Sequence, residues 1–378
     1  MAASLANIWE LAKLVRRGGP AICNVAVTNS CNATCEFCNF AYDKGKVGKL
    51  RWIDPRRFRD ALDILYARHI RYINFFGGET LLHPRISDLV AMAAEKGMGP
   101  VVITNGWLLP KRLEELAQAG LRTVVISIDS ANMDEHEANR GLKGLGRRIA
   151  EANARMPALG MQPFAQVTMS HLVSDYEALI PMLRGLGFVA LTFSYPQNTA
   201  LGSTTLAWSS ESKLVNFTNG ELESAFQAAD ALRDKFPVNN PRASMKDMTR
   251  HLRGEQEHFE CYGGYKSFFM DWNYDIWRCD RWSQPMCSVW EFGKTPDVRD
   301  GCKACIADCY RDSSVMLHFA VSLGDACDQF ARGEILTALK TIADKRNFES
   351  LDAIISNAKV LAHRGKVGPA KPVSACGT

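Results

Sequence analysis

"AICNVAVTNSCNATCEFCNF", residues 21–40, runs an apolar stretch directly into three closely spaced thiols. "AICNVAV" (21–27) reads as a buried strand. Cys31, Cys35 and Cys38 follow with three and then two residues between them, and Phe37 precedes the last. A disulfide would use two of them and strand the third. A tetrahedral zinc site would want a fourth ligand close by. Three thiols with one position left open describe another kind of site.

The surrounding chain narrows the choice. It has 378 residues, 47% hydrophobic and 23% charged, which is globular composition with room for one large domain and a smaller one. The net charge of +4 (45 basic against 41 acidic residues) is too weak and dispersed to argue for nucleic acid. No apolar run reaches the ~20 residues of a membrane span, and no secretory signal pattern opens the sequence. The expected location is the cytoplasm, where thiols stay reduced, and twelve cysteines there point to metal rather than disulfides. Besides the first three, Cys261, Cys279, Cys287, Cys302, Cys305 and Cys309 form a late group. Cys23, Cys327 and Cys376 read as small buried or terminal residues.

From 21 to 196 short β-rich runs alternate with amphipathic helical patterns. Strands are expected at 21–27, 72–76, 100–104, 123–128, 164–169 and 190–195, and helices at 54–69, 86–97 and 111–120. Near-continuous apolar strands fit a parallel sheet. Six strand–helix units predict an α/β fold, a partial (β/α)6 barrel open on one side, with its chemistry at the carboxyl ends of the strands. The expected organisation is an N-terminal amphipathic helix (1–20), the barrel (21–200), a helical connection (201–258), a cysteine-rich domain (259–315), a helical segment (316–364) and a disordered tail (365–378).

Two features stand at expected strand ends: the cysteine loop after the first and "FFGGETLLHP" (75–84) after the second. Together they resemble the radical S-adenosylmethionine (SAM) superfamily. In such a site three thiolates hold three irons of a [4Fe–4S] cube, and the fourth iron is free to bind a ligand. The resemblance implies that this iron chelates SAM. An electron from the cluster then cleaves the sulfonium bond, giving methionine and a 5′-deoxyadenosyl radical. It also implies that Gly77, Gly78 and Glu79 form the turn that receives the SAM amino group, with Thr80 where the family usually has proline. "ITNG" (103–106) and "SIDS" (127–130) resemble positions touching the ribose and methionine parts of SAM, implicating Thr104, Asn105, Ser127 and Asp129. Arg140, in "HEANRG" (136–141), fits a position pairing with the SAM carboxylate; an arginine on a helix also fits a solvated face. Phe37 and Tyr195 are candidate walls for the adenine. Gln166 and Thr168 fit either a SAM contact or plain inward-facing barrel residues.

The late cysteines resemble the twitch domain, the shorter relative of the SPASM domain, which holds an auxiliary [4Fe–4S] cluster. The favoured ligands are Cys261, Cys279, Cys302 and Cys305, with Cys309 a competitor and Cys287 the least suitable. Structural zinc is the rival occupant. A looser likeness links the late cysteine run and the N-terminal helix to the radical SAM adenosyltransferases of hopanoid synthesis. The stripe in "LANIWELAKLVRR" (5–17) suits a peripheral membrane contact or a cap on the barrel.

The expectation is therefore a radical SAM enzyme with two [4Fe–4S] clusters, acting on a small-molecule or lipid substrate and fed by a flavodoxin- or ferredoxin-type electron donor. The alternatives are a peptide-modifying SPASM-type maturase and a non-catalytic iron–sulfur or zinc protein. The oligomeric state and the reaction outcome are not legible.

Overall fold

The computed structural model describes residues 5–38, 40, 49–196, 212–279 and 282–362. The expected tail 365–378, with Cys376, lies outside them, as do residues 1–4 and 201–211 of the segments expected at either end of the barrel.

Six parallel strands, β1 (Ala21–Thr28), β2 (Ile70–Gly77), β3 (Gly99–Thr104), β4 (Thr123–Ile128), β5 (Gln162–Thr168) and β6 (Ala190–Ser194), lie side by side in chain order. Because they are parallel, their carboxyl ends share one rim, and each motif residue emerges there. The covering helices are amphipathic. Helix α2 (Pro55–Ala67) begins at proline, is capped by Asp54 accepting from the Arg56 N–H at 2.9 Å, and buries Phe58, Ala61, Leu62 and Leu65. α3 (Ile86–Glu95) and α4 (Leu109–Gln118) bury Leu89, Val90 and Ala93, and Leu113 and Leu116, in the same core. α5 (Met133–Arg140) and α6 (Leu145–Arg155) follow β4, and α7 (Leu179–Gly185) links β5 to β6. The sheet is open, with β6 at one edge.

Two features differ from the sequence expectation. The cysteine-rich stretch contributes β7 (Ser267–Met270), which pairs in parallel with β1, and β8 (Asp275–Trp277) and β9 (Cys287–Ser288) extend the same sheet. So short a strand carries no period of its own; its partner is set by tertiary register. The helices α8 (Asn219–Ala231) and α9 (Arg242–Leu252) precede it. Secondly, α10 (Asp308–Ala331) begins inside the stretch read as irregular, because the cysteines and serines of its first turns dilute the helical apolar pattern. α11 (Ile335–Ile342) and α12 (Lys345–Ala362) pack back on α10.

The N-terminal helix α1 (Leu5–Arg16) also lies against α10. A Cβ on Gly324 would sit 2.7 Å from the Gly18 nitrogen, and one on Gly19 would sit 2.6 Å from the Ala320 Cβ, so glycines permit this approach. Among the described residues no helix is long and apolar enough to cross a membrane.

In α10, buried His318 meets the Tyr262 hydroxyl at 2.9 Å and the Ser322 hydroxyl at 3.5 Å. Burial, reinforced by Arg346, pulls its pKa down to about 4. The unfolded chain takes up this proton near 6.5, so the stability contributed by the neutral ring is complete above that and is lost as the pH falls toward 4. Between about pH 7 and pH 5 the loss is ~2 kcal/mol. Denaturant unfolding at the two pH values should show that difference between wild type and His318→Gln. Asp312, pushed up to about 6 by burial, titrates in both proteins with the opposite sign, so the comparison must be with the variant.

Candidate active site

Several contacts fasten the cysteine loop. First, the turn after β2 is stitched to the loop's entry: the Gly78 N–H donates to the Thr28 carbonyl at 2.8 Å and the Glu79 N–H to the Ser30 carbonyl at 2.7 Å. A Cβ on Gly77 (φ +141°) would lie 2.3 Å from the Thr28 oxygen, and one on Gly78 2.1 Å from the Ser30 oxygen. The two glycines are thus required by the backbone of the cysteine loop itself. Secondly, the Asn105 amide donates to the Asn32 side chain at 2.9 Å. Thirdly, the end of α5 holds the loop's middle. The Arg140 carbonyl accepts from the Thr34 N–H at 3.0 Å, and the Asn139 side-chain oxygen accepts from the Glu36 N–H at 3.2 Å.

Glu79 is fully buried. One carboxylate oxygen accepts from the Thr104 hydroxyl at 2.5 Å and the Leu81 N–H at 2.9 Å, the other from the Asn105 N–H at 2.7 Å. Burial raises its pKa, against the pull of these donors toward the ionised form. Thr80, the departure from the family's proline, donates to the Ile103 carbonyl at 2.6 Å and ties this turn to β3.

Asp129 and Arg140 form a buried pair: the guanidinium donates to both carboxylate oxygens, at 2.8 and 2.6 Å, and Asn139 adds a third bond at 2.8 Å. Burial pushes the Asp129 carboxyl up, yet Arg140 and His136 outweigh it and hold it far below the usual carboxylate range. The pair sets α5, and α5 holds the loop.

Cys31, Cys35 and Cys38 open into one cavity of about 220 Å³ at the carboxyl rim. Phe37, Gly77, Gly78, Glu79, Thr104, Asn105, Ser127 and Arg140 all line it, as do Gln166 and Thr168. Asp129 and Tyr195 are buried and do not line it; Tyr195 donates instead to Asp312 at 3.3 Å. Sequence reasoning missed Asn24, Phe76, Ser194, Phe269, Asp308 and Tyr310. Asn24, Phe76 and Ser194 lie within predicted strands, Phe76 and Ser194 near their ends, and were findable from the strand period. Phe269 and α10 were not, because their place in the fold is tertiary.

The thiols fit an iron–sulfur cube with one open iron. The donor set is sulfur alone, it shares a cavity with the Glu79 turn, and two sulfurs already accept backbone N–H groups: Cys31 from Ala33 and Cys38 from Phe40, each at 3.4 Å. Burial pushes the Cys31 thiol up to about 12, a cost that iron, if bound, would offset by favouring the thiolate. Among the described residues no three ligating side chains converge on the spacing of a single metal ion.

The late cysteines divide. Cys261 packs with Cys279, Cys302 and Cys305 around Ala307 and Tyr310, its sulfur accepts the Gly263 N–H at 3.4 Å, and its N–H donates to the Cys302 carbonyl. Cys287 stands apart, opposite Ile276 in β9. Cys309, the competitor for this group, lies on the first turn of α10 and lines the barrel cavity. Its helical phase turns it there, which a spacing of cysteines along the chain does not reveal.

Residues 25–178 match the family described as the radical SAM superfamily. The chain is 35% identical over 113 residues to the GTP 3′,8-cyclase of Chlorobaculum tepidum, covering 29% of this chain and 33% of that protein. It is 25% identical over 181 residues to the antilisterial bacteriocin subtilosin biosynthesis protein AlbA of Bacillus subtilis, covering 47% of this chain and 39% of that protein. These matches span less than half of each relative's length. The structure of Streptococcus suis SuiB bound to S-adenosylmethionine superposes with a TM-score of 0.53 over 72% of this chain and 64% of that one, at 15% identity, a likeness of fold. Residues 25–178 thus match a radical SAM domain, and the fold resembles that of a protein solved with S-adenosylmethionine bound.

Proposed function

We propose that this enzyme generates a 5′-deoxyadenosyl radical at the rim of its barrel and uses it on an unactivated C–H or C=C position of a substrate held between the barrel and α10. The observation that carries the reading is the convergence of Cys31, Cys35 and Cys38 with the Glu79 turn on one cavity. The cluster, when bound, supplies the electron that splits SAM. The chain does the rest. Glu79 and neighbouring backbone carbonyls receive the SAM amino group, Thr104, Asn105 and Ser127 line the ribose and methionine side, and Arg140 closes the wall near the SAM carboxylate. Phe37 and the apolar lining exclude water from the radical.

In this proposal Cys261, Cys279, Cys302 and Cys305 hold an auxiliary [4Fe–4S] cluster, which exchanges an electron with the substrate or shapes its pocket. The mostly apolar cavity supports a small-molecule or lipid substrate. A second reading, a peptide substrate, is favoured by the likeness to a bacteriocin biosynthesis protein. A flavodoxin- or ferredoxin-type donor would supply electrons, in the cytoplasm. The glycine-mediated docking of α1 on α10 supports a bracketing role for residues 5–17 over a peripheral membrane contact.

Metal analysis tests the proposal. Anaerobically reconstituted protein should carry about eight irons, the sum of two cubes. About four irons with one zinc would remove the auxiliary cluster; no iron bound to the loop thiols would remove the whole reading.

A further inference from the structure

The thiols of Cys261, Cys279, Cys302 and Cys305 come from three separate stretches of chain, and one buried side chain links all three. We propose that Arg278 is a positioning residue for this quartet: it draws the ligand segments together and holds a cation beside them that favours the reduced form of the iron–sulfur group. The inference deepens the proposed function and rests on its auxiliary cluster.

The geometry suits an arginine in particular. Arg278 is 4% exposed, follows β8 directly and is the chain neighbour of Cys279. Its Nε donates to the Gly263 carbonyl at 3.1 Å, and the Gly263 N–H donates in turn to the Cys261 sulfur at 3.4 Å. Its two outer nitrogens both donate to the Asp300 carboxylate, one of them at 2.7 Å, and Asp300 also accepts the Cys302 N–H at 3.3 Å. A planar fork with three donors in use makes this junction, which a single ammonium cannot. The surroundings are shaped to it. Gly264 (φ +85°) makes room for the stem, since a Cβ there would lie 2.7 Å from the Arg278 Cγ. The Trp282 ring covers the guanidinium, with its centroid 5.1 Å from the central carbon.

The electrostatics follow from this placement. Arg278 interacts electrostatically with the Cys302 and Cys279 sulfurs. An iron–sulfur group held by four thiolates is anionic and becomes more so on reduction, and its potential responds to nearby charge. A fixed cation in contact with the ligand segments therefore stabilises the reduced form more than the oxidised one. Asp300 cancels only part of that field, because its side chain is 51% exposed and screened by solvent, whereas Arg278 is buried.

The test is a reduction potential. It is read by EPR-monitored titration of full-length protein in which Cys31, Cys35 and Cys38 are alanine, so that the late quartet alone gives the signal. Adding Arg278→Gln should make one-electron reduction at least tenfold less favourable, a downward shift of about 59 mV. Arg278→Lys, which keeps the charge and loses the fork, should recover at least half of that shift. Asp300→Asn should move the potential upward, since it removes a negative charge and leaves the cation. A clamp with no electrostatic role would move Arg278→Gln and Asp300→Asn in the same direction. A common direction overturns the proposal, as does an unchanged potential in Arg278→Gln with about four irons bound. Should Arg278→Gln not hold its iron, Asp300→Asn decides by sign: an upward shift supports the proposal, and no shift or a downward one overturns it. Zinc or no metal at the quartet while Arg278 is intact removes the auxiliary cluster itself, which metal analysis distinguishes, and the proposal falls with it.

Discussion

Arg140→Ala is expected to cost about 3–5 kcal/mol of stability, because it leaves the Asp129 carboxylate buried without its counter-charge. The guanidinium makes two charge-assisted bonds to a carboxyl with no solvent exposure. The damage should extend to the metal site, since α5 carries the Asn139 and Arg140 backbone and side-chain groups that hold Thr34 and Glu36 of the cysteine loop. Arg140→Lys should recover little, as a single ammonium cannot reproduce the two-pronged pairing. Adding Asp129→Asn to Arg140→Ala should recover part of the loss by removing the stranded charge. Denaturant unfolding of the four proteins decides it. A wild-type midpoint for Arg140→Ala, with only SAM binding weakened, would mean that the guanidinium serves the SAM carboxylate and does not brace the loop.

The second large effect is chemical. Replacing Cys31, Cys35 and Cys38 together by alanine should abolish SAM cleavage while about four irons remain. The separation follows from the placement of the two thiol groups. The first three open into the barrel cavity, whereas Cys261, Cys279, Cys302 and Cys305 pack around Ala307 and Tyr310. The loop's anchors (Asn32, Thr34, Glu36 and the Thr28 and Ser30 carbonyls) are untouched by the triple substitution, so the fold should persist. Loss of all iron would show that the late quartet holds none by itself. Residual 5′-deoxyadenosine formation would show that another set of ligands serves SAM.

The barrel was readable because its signals are local. An apolar run such as "TVVISI" coincides with β4, and glycine and proline punctuate the helices between strands. The site was readable as residue types but not as roles. "GGE" announced a tight turn; that its glycines are demanded by the Thr28 and Ser30 oxygens depends on two chain segments meeting. Asp129 and Arg140 were each assigned to SAM, and their bond to one another, with Asn139 beside them, appears only once α5 folds back under the cysteine loop. The pairing of β7 with β1 and the projection of α10 into the cavity were hidden for the same reason. Each is fixed by partners remote in sequence, and neither leaves a period or a motif behind.

The central claim is reductive cleavage of SAM at the loop thiols. The most direct measurement is product analysis of the iron-loaded wild-type protein incubated anaerobically with SAM and dithionite. Methionine and 5′-deoxyadenosine in equal amounts, formed only with reductant and absent in the triple cysteine variant, are the predicted result. Fully iron-loaded protein that binds SAM and forms no 5′-deoxyadenosine under strong reduction would contradict the account.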